Sequence, residues 1–229
     1  MLTLAYYSVN LITPEHVVPQ VVLSILQARD LGLQLPIIYN TSAFDSWESL
    51  DLLDGLVDIY LPDFKVWNIA TSKRLLKAED YAATARESIR KMHSQVGDLC
   101  FTADGIAKKG LLVRHLVMPG KEDEGQEIMR WIGSNLSQDV FINIMEQYRP
   151  DAHVGKPRRT SKTSPNSHEQ SLLTTVESGG GKRLRSGTFR YEDINRHVRP
   201  QEVSSVRKAA ENAGLWRFCD PVRHEGFNI

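Results

Sequence analysis

The sequence predicts an α/β fold built on a parallel sheet, and three observations carry that reading. Apolar strand-like runs alternate with amphipathic helical runs from Met1 to Pro150. The strand runs are near-continuously apolar, as parallel strands covered on both sides are. Strands joined through helices imply right-handed crossovers between parallel neighbours. Such a sheet is either an open doubly wound layer or a closed or partial barrel. Both place functional groups at the C-terminal ends of the strands.

The elements follow in order. Val9-Asn10-Leu11-Ile12 is a short strand, and Thr13-Pro14-Glu15 starts a helix. Thr caps, Pro suits the first helical position, and Glu favours the positive end of the helix dipole. Val17, Val18, Val21, Val22, Ile25 and Leu26 form an apolar stripe, and Gly32 stops the helix. Leu35 to Tyr39 is the next strand. Ser46 caps a short helix that ends at Gly55. Leu56 to Phe64 is a third strand, and a helix covers Asp80 to Gln95. Gly110 to Met118 is a fourth strand, Gln126 to Leu136 a helix, and Val140 to Gln147 a fifth strand.

Composition bounds the function. The chain has 229 residues with 28 Lys+Arg against 28 Asp+Glu, so no global charge attracts nucleic acid. It has two cysteines, Cys100 and Cys219, too few for a disulfide framework or a three-thiolate iron–sulfur loop. Cys100 reads as a buried small hydrophobe. His16, His93 and His197 lie on separate elements without metal-ligand spacing. No apolar run is long enough to span a bilayer, and the N-terminus lacks a signal-peptide pattern. The expected location is the cytoplasm.

Three regions are expected: a βα domain over 1–150, a disordered basic segment over 151–189, and a helical extension with a tail over 190–229. From about Gly155 to Thr188 the periodicity stops. That stretch is rich in Ser and Thr, contains Gly179-Gly180-Gly181, has no aromatic residue and carries seven Lys/Arg against two Glu. It cannot bury enough apolar surface to offset its ordering entropy.

Four successive strands end in polar groups, which suggests a lined pocket. These are Asn40, Thr41 and Ser42; Asp63 and Lys65; Arg114 and His115, with Met118-Pro119-Gly120 beyond; and Glu146 to Arg149. Asp63 and Lys65, two apart, share a strand face and are either a pocket ion pair or a surface pair. His115 is either functional or a satisfied core histidine. Asn40, Thr41 and Ser42 either bind a ligand or form a turn.

Several strings resemble the radical S-adenosylmethionine (radical SAM) proteins, in the branch of the pyruvate formate-lyase activating enzymes. They are Asn10-Leu11-Ile12-Thr13-Pro14-Glu15-His16, Leu35 to Ser42, Val57 to Lys65, Met92 to Leu99, Gly110 to Gly120 and Asn143 to Pro150. Tyr191 to Arg196 and the helix ending Ala213-Gly214-Leu215 resemble the branch's C-terminal extension. The resemblance implies an incomplete radical SAM-type (β/α) partial barrel entered at the family's third strand, so that the chain is a truncated or degenerate member. The family's chemistry is reductive cleavage of S-adenosylmethionine by a [4Fe–4S] cluster to a 5′-deoxyadenosyl radical. The CxxxCxxC loop that holds the cluster is absent, so no cluster and no activity are expected of this chain alone. By the same resemblance Asn40, Thr41, Ser42, Asp63, Lys65 and His115 lie on the cofactor or substrate side, and a glycyl-radical-type protein is the implied partner. Two other readings stand beside this one: a non-catalytic scaffold, and a barrel enzyme using Lys65 as a Schiff base. An unpaired edge at Val9–Ile12 would favour self-association.

Overall fold

Apolar strands with short polar ends fold here into a parallel sheet whose helices cover one face. The structure is a computed structural model and describes residues 7–157 and 189–219. Residues Met1–Tyr148 with Val198–Ile229 form one unit and Arg149–His197 a second. The basic Ser/Thr-rich stretch lies outside the described residues over 158–188.

In the larger unit the elements are β1 (Val9–Ile12), α1 (Val18–Asp30), β2 (Ile37–Thr41), α2 (Trp47–Leu53), β3 (Ile59–Pro62) and α3 (Ile69–Thr71). A π-helical turn, Ser72–Leu76, runs on from α3. Then come α4 (Tyr81–Val96), β4 (Cys100–Phe101), β5 (Ala107–Leu116), α5 (Glu122–Asn135), β6 (Phe141–Met145) and α6 (Pro200–Asn212). Strands β1, β2, β3, β5 and β6 pair in that order, all parallel. The sheet is open, and β1 pairs only with β2 among the described residues. Beyond β6 the bridge of Phe218 to Ile142 extends the layer.

The fold class read from the sequence holds, with one addition. Cys100 and Phe101 form the two-residue β4, which pairs antiparallel with the start of β5. It sits at the sheet margin, and Cys100 is therefore exposed, not buried. Gly110 allows this crossing. Its φ is +131°, and a Cβ there would lie 2.3 Å from the Leu99 Cα.

Side chains alternate along each strand. On β5, Leu111, Val113 and His115 are buried, as is Val117 just beyond it, whereas Leu112, Arg114 and Leu116 are half-buried. The buried face meets α4 and α5 in a core with Tyr39, Tyr60, Phe64, Ile89, Met92 and Ile128. Each such side chain contributes roughly 1.5–3 kcal/mol by leaving water. Ser46 caps α2 as expected, its hydroxyl accepting the Ser49 N–H at 3.2 Å. At the start of α6, Glu202 accepts the N–H of Arg199 at 2.7 Å and that of Gly120 at 2.8 Å, fastening α6 to the loop after β5. No helix among the described residues is long and apolar enough to cross a membrane.

In the smaller unit, Pro157 bridges antiparallel to Phe189, and Glu192–Ile194 form a 3₁₀ turn.

Candidate functional site

The half-exposed face of the sheet collects polar groups where the strands end. Arg114 lies opposite Asp63 on β3's continuation and opposite Asn143 of β6. Its Nε donates to Asp63 Oδ1 at 2.7 Å, and its Nη2 donates to Asn40 Oδ1 at 2.8 Å. Lys65 Nζ donates to Asp63 Oδ2 at 2.7 Å. Asn40, Asp63, Lys65 and Arg114 are thus one connected network across β2, β3 and β5. With two cations and one carboxylate it is net positive, and both carboxylate oxygens of Asp63 are engaged.

The backbone beneath it is fixed by Tyr81 of α4. The Tyr81 hydroxyl lies 2.6 Å from the Asp63 carbonyl and 3.0 Å from the Ser42 carbonyl, and accepts the Lys65 N–H at 2.9 Å. Burial raises the Tyr81 phenol above its ordinary range, against the Lys65 bond that lowers it, so it stays a neutral donor.

Thr41 and His115 point to the other face. Thr41 is 2 % exposed, and its hydroxyl contacts Glu15 Oε1 at 2.9 Å and Asp45 Oδ2 at 2.5 Å. Asp45 Oδ1 accepts the Tyr39 hydroxyl at 2.8 Å. Ser42 enters through its backbone, its N–H donating to Glu15 Oε1 at 2.5 Å. The two strand ends feeding this cluster are bent: Thr13 and Ala43 hold left-handed φ values of 54° and 62°. A β-branched residue in that region is strained. Burial pushes the Asp45 carboxyl up to about 6, while bonds from Thr41 and Tyr39 oppose the rise and Glu15 adds to it. Burial likewise raises the Tyr39 and Tyr60 phenols.

His115 packs under α5 and α6. Its Nδ1 lies 2.8 Å from the Phe64 carbonyl, so that nitrogen carries the hydrogen, and Nε2 is buried without a partner. Burial lowers its pKa, outweighing the Phe64 carbonyl and the Glu124 charge. Gln147 is exposed and Tyr148 buried.

A second carboxylate was not legible in the sequence. Glu124 of α5 accepts the N–H of Trp67 at 2.9 Å, that of Asn68 at 3.0 Å and the Thr71 hydroxyl at 2.5 Å. Burial alone would raise its pKa, but these bonds, the Asn68 N–H foremost, hold it below the ordinary value. It orders the segment after β3 beside a groove of about 770 Å³ lined by Trp67, Arg86 and Trp131. Arg86 stacks on Trp67 at 4.6 Å and Arg90 on Trp131 at 5.3 Å.

Among the described residues no group of three or more His, Cys, Asp or Glu side chains is arranged to hold a metal ion. Cys100 lies on β4, whereas Cys219 follows the Phe218 bridge to β6. A three-thiolate cluster does not fit the donors of this chain.

The geometry defines a class: an open, parallel α/β sheet of the partial-barrel type with a polar rim on its half-exposed face. A solved structure shares that architecture, a domain of the pyruvate-formate lyase-activating enzyme from Bacteroides vulgatus. The TM-score is 0.57 at 10% sequence identity, over 93% of this chain and 98% of that one. The likeness establishes the fold and agrees at that level with the resemblance read from the strings. The chain is also 34% identical over 131 residues to an uncharacterized protein of Methanocaldococcus jannaschii, covering 56% of this chain. It spans about a third of that curated relative, at 34% of its length. No family model matches the chain.

Proposed function

We propose that the half-exposed face of this sheet binds S-adenosylmethionine, in a radical SAM-type protein whose described residues supply the binding surface without a cluster site. One observation carries the reading: Asn40, Asp63, Lys65 and Arg114 form one connected, net positive network across three strand ends of a partial-barrel fold. The donor set suits the methionine end of the molecule. Lys65 and Arg114 offer N–H groups to its carboxylate, and Asp63 orients both cations. Asn40 offers an amide to an amino or hydroxyl group. When bound, the cofactor supplies a sulfonium that a reduced cluster cleaves. With no three-thiolate set of its own, this chain alone starts no radical chemistry. Lys65, held by Asp63 at 2.7 Å, is arranged for anion binding and not for carbonyl attack.

Calorimetric titration of the full chain with S-adenosylmethionine tests the proposal. Saturable binding is expected, weakened at least tenfold by Arg114→Leu and left within twofold by Gln147→Ala. Absence of binding at millimolar ligand, or binding indifferent to Arg114, would overturn it in favour of a non-catalytic scaffold.

A further inference from the structure

The chain Tyr39–Asp45–Thr41–Glu15 lies beneath the strand end that carries Asn40, and its contacts need one more proton than two ionised carboxyls provide. A hydroxyl carries a single hydrogen. The Thr41 hydroxyl meets Asp45 Oδ2 at 2.5 Å and Glu15 Oε1 at 2.9 Å, and already accepts the Ala43 N–H at 3.1 Å. Thr41 therefore donates to one carboxyl only. Were both ionised, its other contact would set lone pairs against lone pairs inside a water-poor site. The missing hydrogen belongs on one of the two carboxyls. Glu15 Oε1 is committed as an acceptor, because it also takes the Ser42 N–H at 2.5 Å. Glu15 is half-exposed, so water stabilises its charge. Asp45 is 3 % exposed.

We propose that Asp45 is a protonated carboxyl in the folded chain at mildly acidic pH, and that its proton then locks the turn after β1 to the loop after β2 beneath Asn40. Asp45 Oδ2–H donates to Thr41, Thr41 donates to Glu15, and the Tyr39 hydroxyl donates to Asp45 Oδ1. Every hydrogen then has an acceptor. The titratable groups facing Asp45 are Glu15 from the turn after β1, Tyr39 from β2 and Tyr60 from β3. From α4, the Ser88 hydroxyl holds the Ala43 carbonyl at 2.8 Å. Burial and the Glu15 charge both favour the neutral form. Asp45 is thus a positioning residue for Asn40. That consequence rests on the proposed binding face, whereas the protonation does not.

Carboxyl-carbon NMR of the full chain labelled at aspartate, with the resonance assigned through Asp45→Asn, reads the proton directly. A midpoint at about 6 or above is expected, and one near the ordinary value of about 3.9 overturns the proposal. Thermal melts give a second readout. The amide that Asp45→Asn introduces copies the neutral acid, donating to Thr41 and accepting from Tyr39. A raised folded-state pKa stabilises fully below the unfolded value and is lost as pH rises through the folded one. The Asp45→Asn melting temperature should therefore match the native chain near pH 4 and exceed it near pH 7. A variant that melts several degrees below the native chain at both pH values overturns the assignment. If S-adenosylmethionine does not bind, the titration still decides the protonation. If the titration fails, the binding proposal still stands on its own test.

Discussion

Arg114 of β5 reaches across the strand boundary to Asp63, Nε to Oδ1 at 2.7 Å, and the same guanidinium holds Asn40 of the next strand but one through Nη2 at 2.8 Å. The side chains of Arg114 and Asp63 are 25% and 20% exposed, so solvent screens the pair only in part. Lys65, at 35%, is more open. A double-mutant cycle with Asp63→Asn and Arg114→Leu should give a coupling of about 1–2 kcal/mol by urea unfolding. The Asp63/Lys65 cycle should give less, about 0–1 kcal/mol, as exposed pairs do. Equal couplings would mean that Arg114 is not the principal partner of Asp63.

Gly125→Ala sets helix propensity against packing. Alanine in an exposed helix interior gains about 1 kcal/mol over glycine. Here the new Cβ would lie 2.6 Å from His115 Nε2 and 2.8 Å from Val206 Cγ2, both in the core between α5 and α6. Both side chains are buried, His115 at 2 % and Val206 at 0 % exposure. Overpacking costs about 1–3 kcal/mol and wins. Calorimetry should show a lower melting temperature, and a raised one would show that α6 gives way freely.

Glu124→Ala removes the acceptor of three hydrogen bonds at once and strands the Trp67 and Asn68 N–H groups and the Thr71 hydroxyl. A loss of about 2–4 kcal/mol is expected, since each abandoned buried donor costs about 1–3 kcal/mol before relaxation. A depressed carboxyl stabilises above its unfolded pKa, and that stability is lost as pH falls through the folded value. The native chain should therefore lose stability on acidification below about pH 4.5, the ordinary value for this group. The variant should not share that part of the decline. Parallel acid curves from urea unfolding would show that Glu124 is not held in its charged form.

The parallel strands and their polar ends could be read from the sequence because each strand is an apolar run with an abrupt polar stop, whereas the residues left a doubly wound layer and a barrel both open. Which polar residues would meet was not legible. Neighbours on a strand face opposite sides, so Asn40 and Thr41, or Arg114 and His115, cannot share one pocket. Runs such as Leu111-Leu112-Val113 are apolar on both faces and leave that parity open. The structure resolves it in favour of Asn40 and Arg114, whose apolar neighbours Leu61 and Leu112 lie on the half-exposed face. The roles of Glu15 and Glu124 escaped notice because each works from a turn or helix start far in sequence from its partners, and that of Asp45 because a loop residue has no periodicity to aim it at Thr41 and Tyr39. Cys100 was misjudged because a two-residue strand at the margin buries little.

His115 makes an acid limb that differs from the one at Glu124. The imidazole is 2 % exposed, its Nδ1–H donates to the Phe64 carbonyl, and Nε2 faces Gly125 and Val206 without a donor. A second proton would be a buried charge with no acceptor, which is why burial lowers its pKa. The sign follows from where the proton goes. The unfolded chain binds it at about 6.5, and the folded chain resists until lower pH, so stability falls as pH drops below about 6.5. This decline opposes the trend from Asp45, which gains stability on acidification below about 6. His115→Asn separates them. The asparagine amide nitrogen overlays Nδ1 and keeps the bond to Phe64, but it cannot take a proton. At pH 7.5 the variant should be less stable by about 1–3 kcal/mol, from the volume lost under α5 and α6. Between pH 7.5 and 5.5 its unfolding free energy should decline less steeply than that of the native chain. Should the two curves run parallel over that interval, the buried imidazole is being protonated in the folded state, and α5 and α6 must be opening to let water reach it.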